Sequence, residues 1–161
     1  MRSRTTERAC GLGALPQAAD EEEGRKERHE VMSEADQLNW VERRHRAEKN
    51  LADSKVGLWR DVCAAITDAS RSFGALYETS TEVTTVNGHR LRIMLGTVDR
   101  IDVDFDEKGC GINTSYASPF RVRNFRIRAD HVSAFIVDDK GNRMTPDEVS
   151  ESILAPVFFP R

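Results

Sequence analysis

One change of rhythm, at Tyr77, limits what this chain can fold into more than any other feature. Before it, Trp59, Val62, Ile66, Ala69, Phe73 and Leu76 recur at spacings of three and four, the period of one helix face. After it the period drops to two. Leu91, Ile93 and Leu95 alternate with Arg90, Arg92 and Met94, and Ile101, Val103 and Phe105 alternate with Asp102, Asp104 and Asp106. A helical segment followed by a run of half-buried strands predicts an α+β fold, with helices covering one face of an antiparallel sheet and water on the other.

Upstream of Trp59 the stripe is weaker. Leu38 and Val41 open it, but His45, Glu48 and Lys55 take its next positions. Ser33 is a candidate N-cap with Glu34 and Asp36 in the first turn, and Asp53 or Ser54 could cap a second helix. Gly57 weakens continuity. The expectation is one long helix or two with a break near 53–57, with segment 34–52 standing partly clear of the domain.

Residues 1–32 have neither apolar periodicity nor aromatic side chains, and they carry the mixed charge run from Glu21 to Arg28. Such a segment buries too little to offset the entropy of ordering, so it reads as a disordered tail before a single domain over 33–161. Met32, just after the charge run, is an alternative start, with 1–31 a translated leader. Ala9–Ala19 is broken by Gly11, Gly13 and Pro16 and makes a poor signal peptide. No run approaches the ~20 apolar residues of a transmembrane helix, and the reading is a cytoplasmic chain. Three widely spaced cysteines, Cys10, Cys63 and Cys110, suggest neither a disulfide framework nor a zinc site.

The sheet can be read strand by strand. Residues 81–86 and 90–95 form a hairpin around Asn87-Gly88. A three-residue loop, Val86-Asn87-Gly88, places Val83 opposite Leu91 and Glu82 opposite Arg92, joining apolar to apolar and acid to base. Cys110–Tyr116 is a weaker strand, ended by Ser118-Pro119. In Phe120–Arg128 the apolar phase slips at Asn124, and a β-bulge at Arg123-Asn124 would restore one face. Val132–Val137 closes a meander of five or six strands. Thr145-Pro146-Asp147-Glu148 is a capping box for a short C-terminal helix, expected to stop by Ala155 because Pro156 follows. Val157-Phe158-Phe159 is too apolar for a loose end and is expected to pack on the core or on a partner.

Few residues point to chemistry. The net charge of −3 gives no global pull toward nucleic acid or anionic membrane. The Asp102, Asp104 and Asp106 ladder lacks the glycine and terminal glutamate of a calcium loop, and reads as a wet face paired with Arg90 and Arg92. His29, His45, His89 and His131 fall in unrelated places, and no phosphate loop, nucleophile elbow or zinc motif occurs. The row Arg121, Arg123, Arg126 and Arg128 is the one candidate site, for an anion or an acidic partner, with no metal and no cofactor implied. The sequence therefore leaves the biochemical function open. It favours a non-catalytic interaction module, with the projecting helix or the Val157-Phe158-Phe159 end as the surface for self-association or for another protein. The alternative is a binder of an anionic ligand or nucleic acid through the arginine row.

Overall fold

The computed structural model describes residues 38–97, 99–117 and 122–160. The proposed tail over 1–32, the alternative start at Met32 and the Ser33 cap lie outside them. A helix α1 (Trp40–Tyr77) is followed by seven strands, β1 (Thr81–Val86), β2 (Arg90–Leu95), β3 (Asp99–Asp106), β4 (Gly111–Tyr116), β5 (Asn124–Ala129), β6 (Ala134–Val137) and β7 (Arg143–Met144). A second helix, α2 (Pro146–Phe158), is the last element among the described residues. The strands pair in chain order, each antiparallel to the next, so the sheet is a simple meander. This is the expected α+β architecture, with more strands than the sequence suggested because β7 is only two residues long.

The helix α1 is continuous over 38 residues and does not break at 53–57. Its start is set by Asn39, whose side chain accepts from the Val41 and Glu42 backbone N–H groups while Glu42 reaches back to the Asn39 N–H. Continuity across Gly57 comes from tertiary contacts on both sides of it. Asn50 donates to the Asp130 carbonyl, Lys55 to the Glu107 carbonyl and the Trp59 indole to the Gly88 carbonyl. Three anchors spaced along ten residues hold the helix continuous where propensity alone would let it fray. The first two turns, by contrast, are solvent-exposed.

The core lies between the helices and one sheet face. Trp59, Val62 and Ile66 of α1 and Val149, Ile153, Leu154 and Val157 of α2 meet Leu91, Ile93, Ile101, Val103, Phe105, Ile112, Phe125, Ile127 and Ile136 of the sheet. Each fully buried aliphatic side chain contributes about 1.5–3 kcal/mol by leaving water. At the end of α1, Gly74 is required by close approach: a Cβ there would stand 2.7 Å from the Thr81 hydroxyl of β1. Two residues of the expected stripe fall outside the core, for Ala69 is exposed and Leu76 keeps 78% of its surface. The inward position between Ile66 and Phe73 belongs to Ser70 instead.

Three local expectations are corrected. The first hairpin does have a three-residue loop, but it is Asn87-Gly88-His89, so Val83 faces Ile93 and Thr84 faces Arg92. Asn87 and Gly88 are both left-handed, with φ of 57° and 70°. The Glu82–Arg92 pairing that argued for the other register is unnecessary, because Arg92 bonds Asp102 on the next strand. Second, the ladder runs unbroken from Gly111–Arg126 to Asn113–Asn124, without a bulge at Arg123-Asn124. The phase slip arises because the strand starts there: Val122 is 59% exposed and is no core residue. Arg123 is held to Thr114 in the same plain register: the Thr114 hydroxyl accepts from the Arg123 N–H at 2.7 Å, and the Thr114 N–H donates to the Arg123 carbonyl at 2.9 Å. Third, α2 runs through Pro156 to Phe158. Proline removes one late hydrogen bond, the Tyr116 hydroxyl donates to the neighbouring Ile153 carbonyl at 3.1 Å, and burial of Val157 and Phe158 favours one more turn.

Candidate functional site

The outer sheet face is an electrostatic surface whose two halves differ. On β2 and β3 acids and bases are matched. Asp102 bonds both Arg92 (2.8 Å) and Arg100 (2.6 Å), and Asp104 bonds Arg90. Burial alone would raise the Asp102 carboxyl, but the hydrogen bonds from Arg92 and Arg100 outweigh it and leave the group below its ordinary value. Asp102 and Asp104 thus pair with Arg92 and Arg90 as the sequence suggested, but Asp102 is buried rather than wet, and Asp106 accepts from the Lys108 and Gly109 backbone N–H groups instead of pairing with an arginine. Among the described residues no cluster of three His, Cys, Asp or Glu side chains could hold a metal ion.

On β5 and β6 the balance is different. Arg126 and Arg128 project from the outer face and are exposed, and no carboxylate among the described residues pairs with either. Beyond them Arg143 stacks on the Phe135 ring at 3.7 Å and bonds Asp130 at 2.7 Å. Backbone N–H groups of Ser133 and Val132, with Arg143, hold the Asp130 carboxyl down to about 2. Val137 sits opposite Arg126 on one side and Arg143 on the other and is 3% exposed. The expected row of four does not assemble. Arg123 pairs in register with buried Thr114 and lines a groove along α2 with Glu148 and Glu151, on the helix-bearing side. Arg121 lies outside the described residues.

The helix side carries a surface that the sequence marked only in part. Phe73 stacks on Tyr77 (4.6 Å between centroids) and on Phe158 (4.0 Å), while Phe159 meets the edges of Phe73 and Tyr77. These rings, with Leu76, Ala69 and Leu154, line a groove of about 490 Å³ between α1 and α2. Its rim is acidic: Asp68, Asp147 and Glu151 line it and no lysine or arginine does. Leu76, Tyr77 and Phe159 remain 78%, 57% and 56% exposed, so the aromatic cluster is open to solvent rather than sealed into the core. The apolar C-terminal run hinted at this surface. Its meeting with the last turn of α1 depends on the helix crossing, which no local pattern encodes.

Burial pushes the Cys63 thiol up to about 12, which keeps it protonated. Cys110 occupies a left-handed turn position with φ of 53°. His45, His89 and His131 sit on α1, in the first hairpin loop and in the β5–β6 loop respectively. Among the described residues no helix is long and apolar enough to cross a membrane. No family model matches the chain, and comparison with curated proteins and with solved structures finds no significant match. The described residues define a class of architecture: two helices on one face of a seven-stranded antiparallel meander.

Proposed function

We propose that this chain is a non-catalytic interaction module of the cell interior that receives an apolar, basic-flanked helix in the groove between α1 and α2. The observation carrying this reading is the open aromatic cluster of Phe73, Tyr77, Phe158 and Phe159, bordered by exposed Leu76 and by Asp147, Glu151 and Asp68, the last paired with Arg71. Burying exposed Leu and aromatic side chains drives association, and a groove between helices accepts the i, i+3, i+4 face of a third helix. The acidic rim selects lysine and arginine flanks on the incoming segment.

Panning a displayed library of amphipathic helices against the full chain tests it. The expected winners share an apolar stripe with basic flanks and lose binding to Leu76→Glu, a change at an exposed position. Enrichment that ignores Leu76→Glu, or no enrichment at all, overturns the reading. A second reading, an anion site at Arg126 and Arg128, is favoured by their lack of acidic partners beside a saturated aspartate ladder. Its test is RNA or heparin binding by the chain and by Arg126→Ser/Arg128→Ser. With Arg123 on the other side of the sheet, Arg123→Ser is the control expected to leave such binding intact.

A further inference from the structure

The segment that best fits the groove is part of this chain. The first turns of α1 expose Trp40 (71%) and Val41 (52%), two large apolar side chains at a helix end. Around them stand Arg43, Arg44, Arg46 and Lys49, all exposed, against Glu42 and Glu48. Glu42 is engaged in the N-terminal capping box and Glu48 pairs with Arg44, so Arg43, Arg46 and Lys49 are the cations without an ion pair among the described residues. Trp40, Arg43, Arg44 and Ala47 follow one another at helical spacing, which lays the indole and two guanidinium groups along one face. That is an apolar anchor with basic flanks, the complement of an aromatic groove rimmed by Asp147 and Glu151, and by Asp68, which shares its charge with Arg71.

The segment cannot reach the groove of its own molecule. Continuous over 38 residues, α1 spans about 57 Å from Trp40 to Tyr77, and the groove lies at the Tyr77 end. The ligand must come from another copy. With anchor and groove at opposite ends of one rigid helix, two copies laid antiparallel exchange both contacts at once and close on a two-fold axis. Resting on the groove reading above, we infer that the groove of one copy takes the Trp40–Lys49 end of α1 from a second, reciprocally, to form a dimer. Doubling the contact by symmetry lets two small interfaces act as one.

Light scattering coupled to size exclusion, on the full chain over a concentration series, tests this. Wild type is expected to approach the mass of two chains and to dissociate on dilution or in high salt, which screens the exposed charge pairs. Trp40→Ser and Leu76→Glu, both at exposed positions, are each expected to give monomers. Arg43→Glu/Arg44→Glu and Asp68→Arg/Glu151→Arg should each weaken the dimer, and the four changes on one chain should restore it. A monomer at every concentration overturns the inference, as does a dimer indifferent to all these variants, a failure of the charge swap to rescue, or a mass that grows past two chains. The groove reading fails separately. If the chain is monomeric but library helices still bind in a Leu76-dependent way, the homotypic inference falls alone; if neither occurs, both fall.

Discussion

Ser70 of α1 and Ser150 of α2 face inward at 0% and 2% exposure, and neither hydroxyl meets a hydrogen-bond partner. A buried hydroxyl without a partner costs about 1–3 kcal/mol in lost hydration. Alanine also exceeds serine in helix propensity by about 0.5 kcal/mol. Against these gains stands the void left by one oxygen, about 0.3 kcal/mol for a cavity of roughly 15 Å³. Each Ser→Ala change is therefore expected to stabilise by about 1–3 kcal/mol, a sign opposite to that of most core substitutions. The backbone carbonyl of Ser70, which accepts from the Thr81 hydroxyl at 3.1 Å, is untouched by the change. Urea unfolding followed by circular dichroism provides the assay. A gain of 2 kcal/mol in the double variant moves the midpoint up by about 1 M at an unchanged slope. A loss of 1 kcal/mol or more at either site would mean that the hydroxyl is bonded, and would refute the argument. Because Ser150 also lines the groove, the stabilised double variant should still dimerise, which separates groove chemistry from helix packing.

Three further outcomes follow from single contacts. Glu78 caps α1 in a left-handed conformation (φ 51°) and sets a negative charge at a helix C-terminus, so Glu78→Gly should stabilise by about 1 kcal/mol in the same urea assay. Tyr116→Phe should cost about 1 kcal/mol by removing the donor to the Ile153 carbonyl beside Pro156, measured as a lowered midpoint without loss of helix signal. Asp102 has a folded-state pKa below its unfolded one, so its carboxylate stabilises above the ordinary value of 3.8, and that contribution disappears as pH falls through the depressed value. Asp102→Asn should accordingly be less stable than wild type at neutral pH and converge on it in acid; parallel stability curves down to low pH would contradict the pairing.

The sequence carried the fold wherever a face was strictly periodic. The alternation of Ile101, Val103 and Phe105 with aspartates gave β3 its faces, and the Thr145 to Glu148 capping box marked the start of α2. What was not legible depended on contacts between distant residues. No local pattern shows that Asn50, Lys55 and Trp59 anchor a helix across Gly57, or that the first hairpin turns on Asn87-Gly88-His89 rather than one residue earlier. The arginine row failed as a site for a related reason. It assumed a bulge at Arg123-Asn124, whereas the pairing continues in plain register through Thr114 and Arg123, so simple alternation puts Arg123 on the helix side with Phe125. The groove needed two chain ends, Phe73–Tyr77 and Phe158–Phe159, to be brought together by a helix crossing.

Tryptophan fluorescence offers the most direct test of homotypic docking, because the two tryptophans occupy opposite environments. Trp59 is buried and donates its indole N–H to Gly88, while Trp40 stands exposed at the end proposed to dock. In Trp59→Phe, which keeps an aromatic ring beside Phe105, the emission reports Trp40 alone. At high concentration that emission should shift to the blue and resist an aqueous quencher, then turn red and quenchable on dilution or when Leu76→Glu is added. Emission that stays red and fully quenchable at every concentration would contradict the docking of α1 in a second copy's groove.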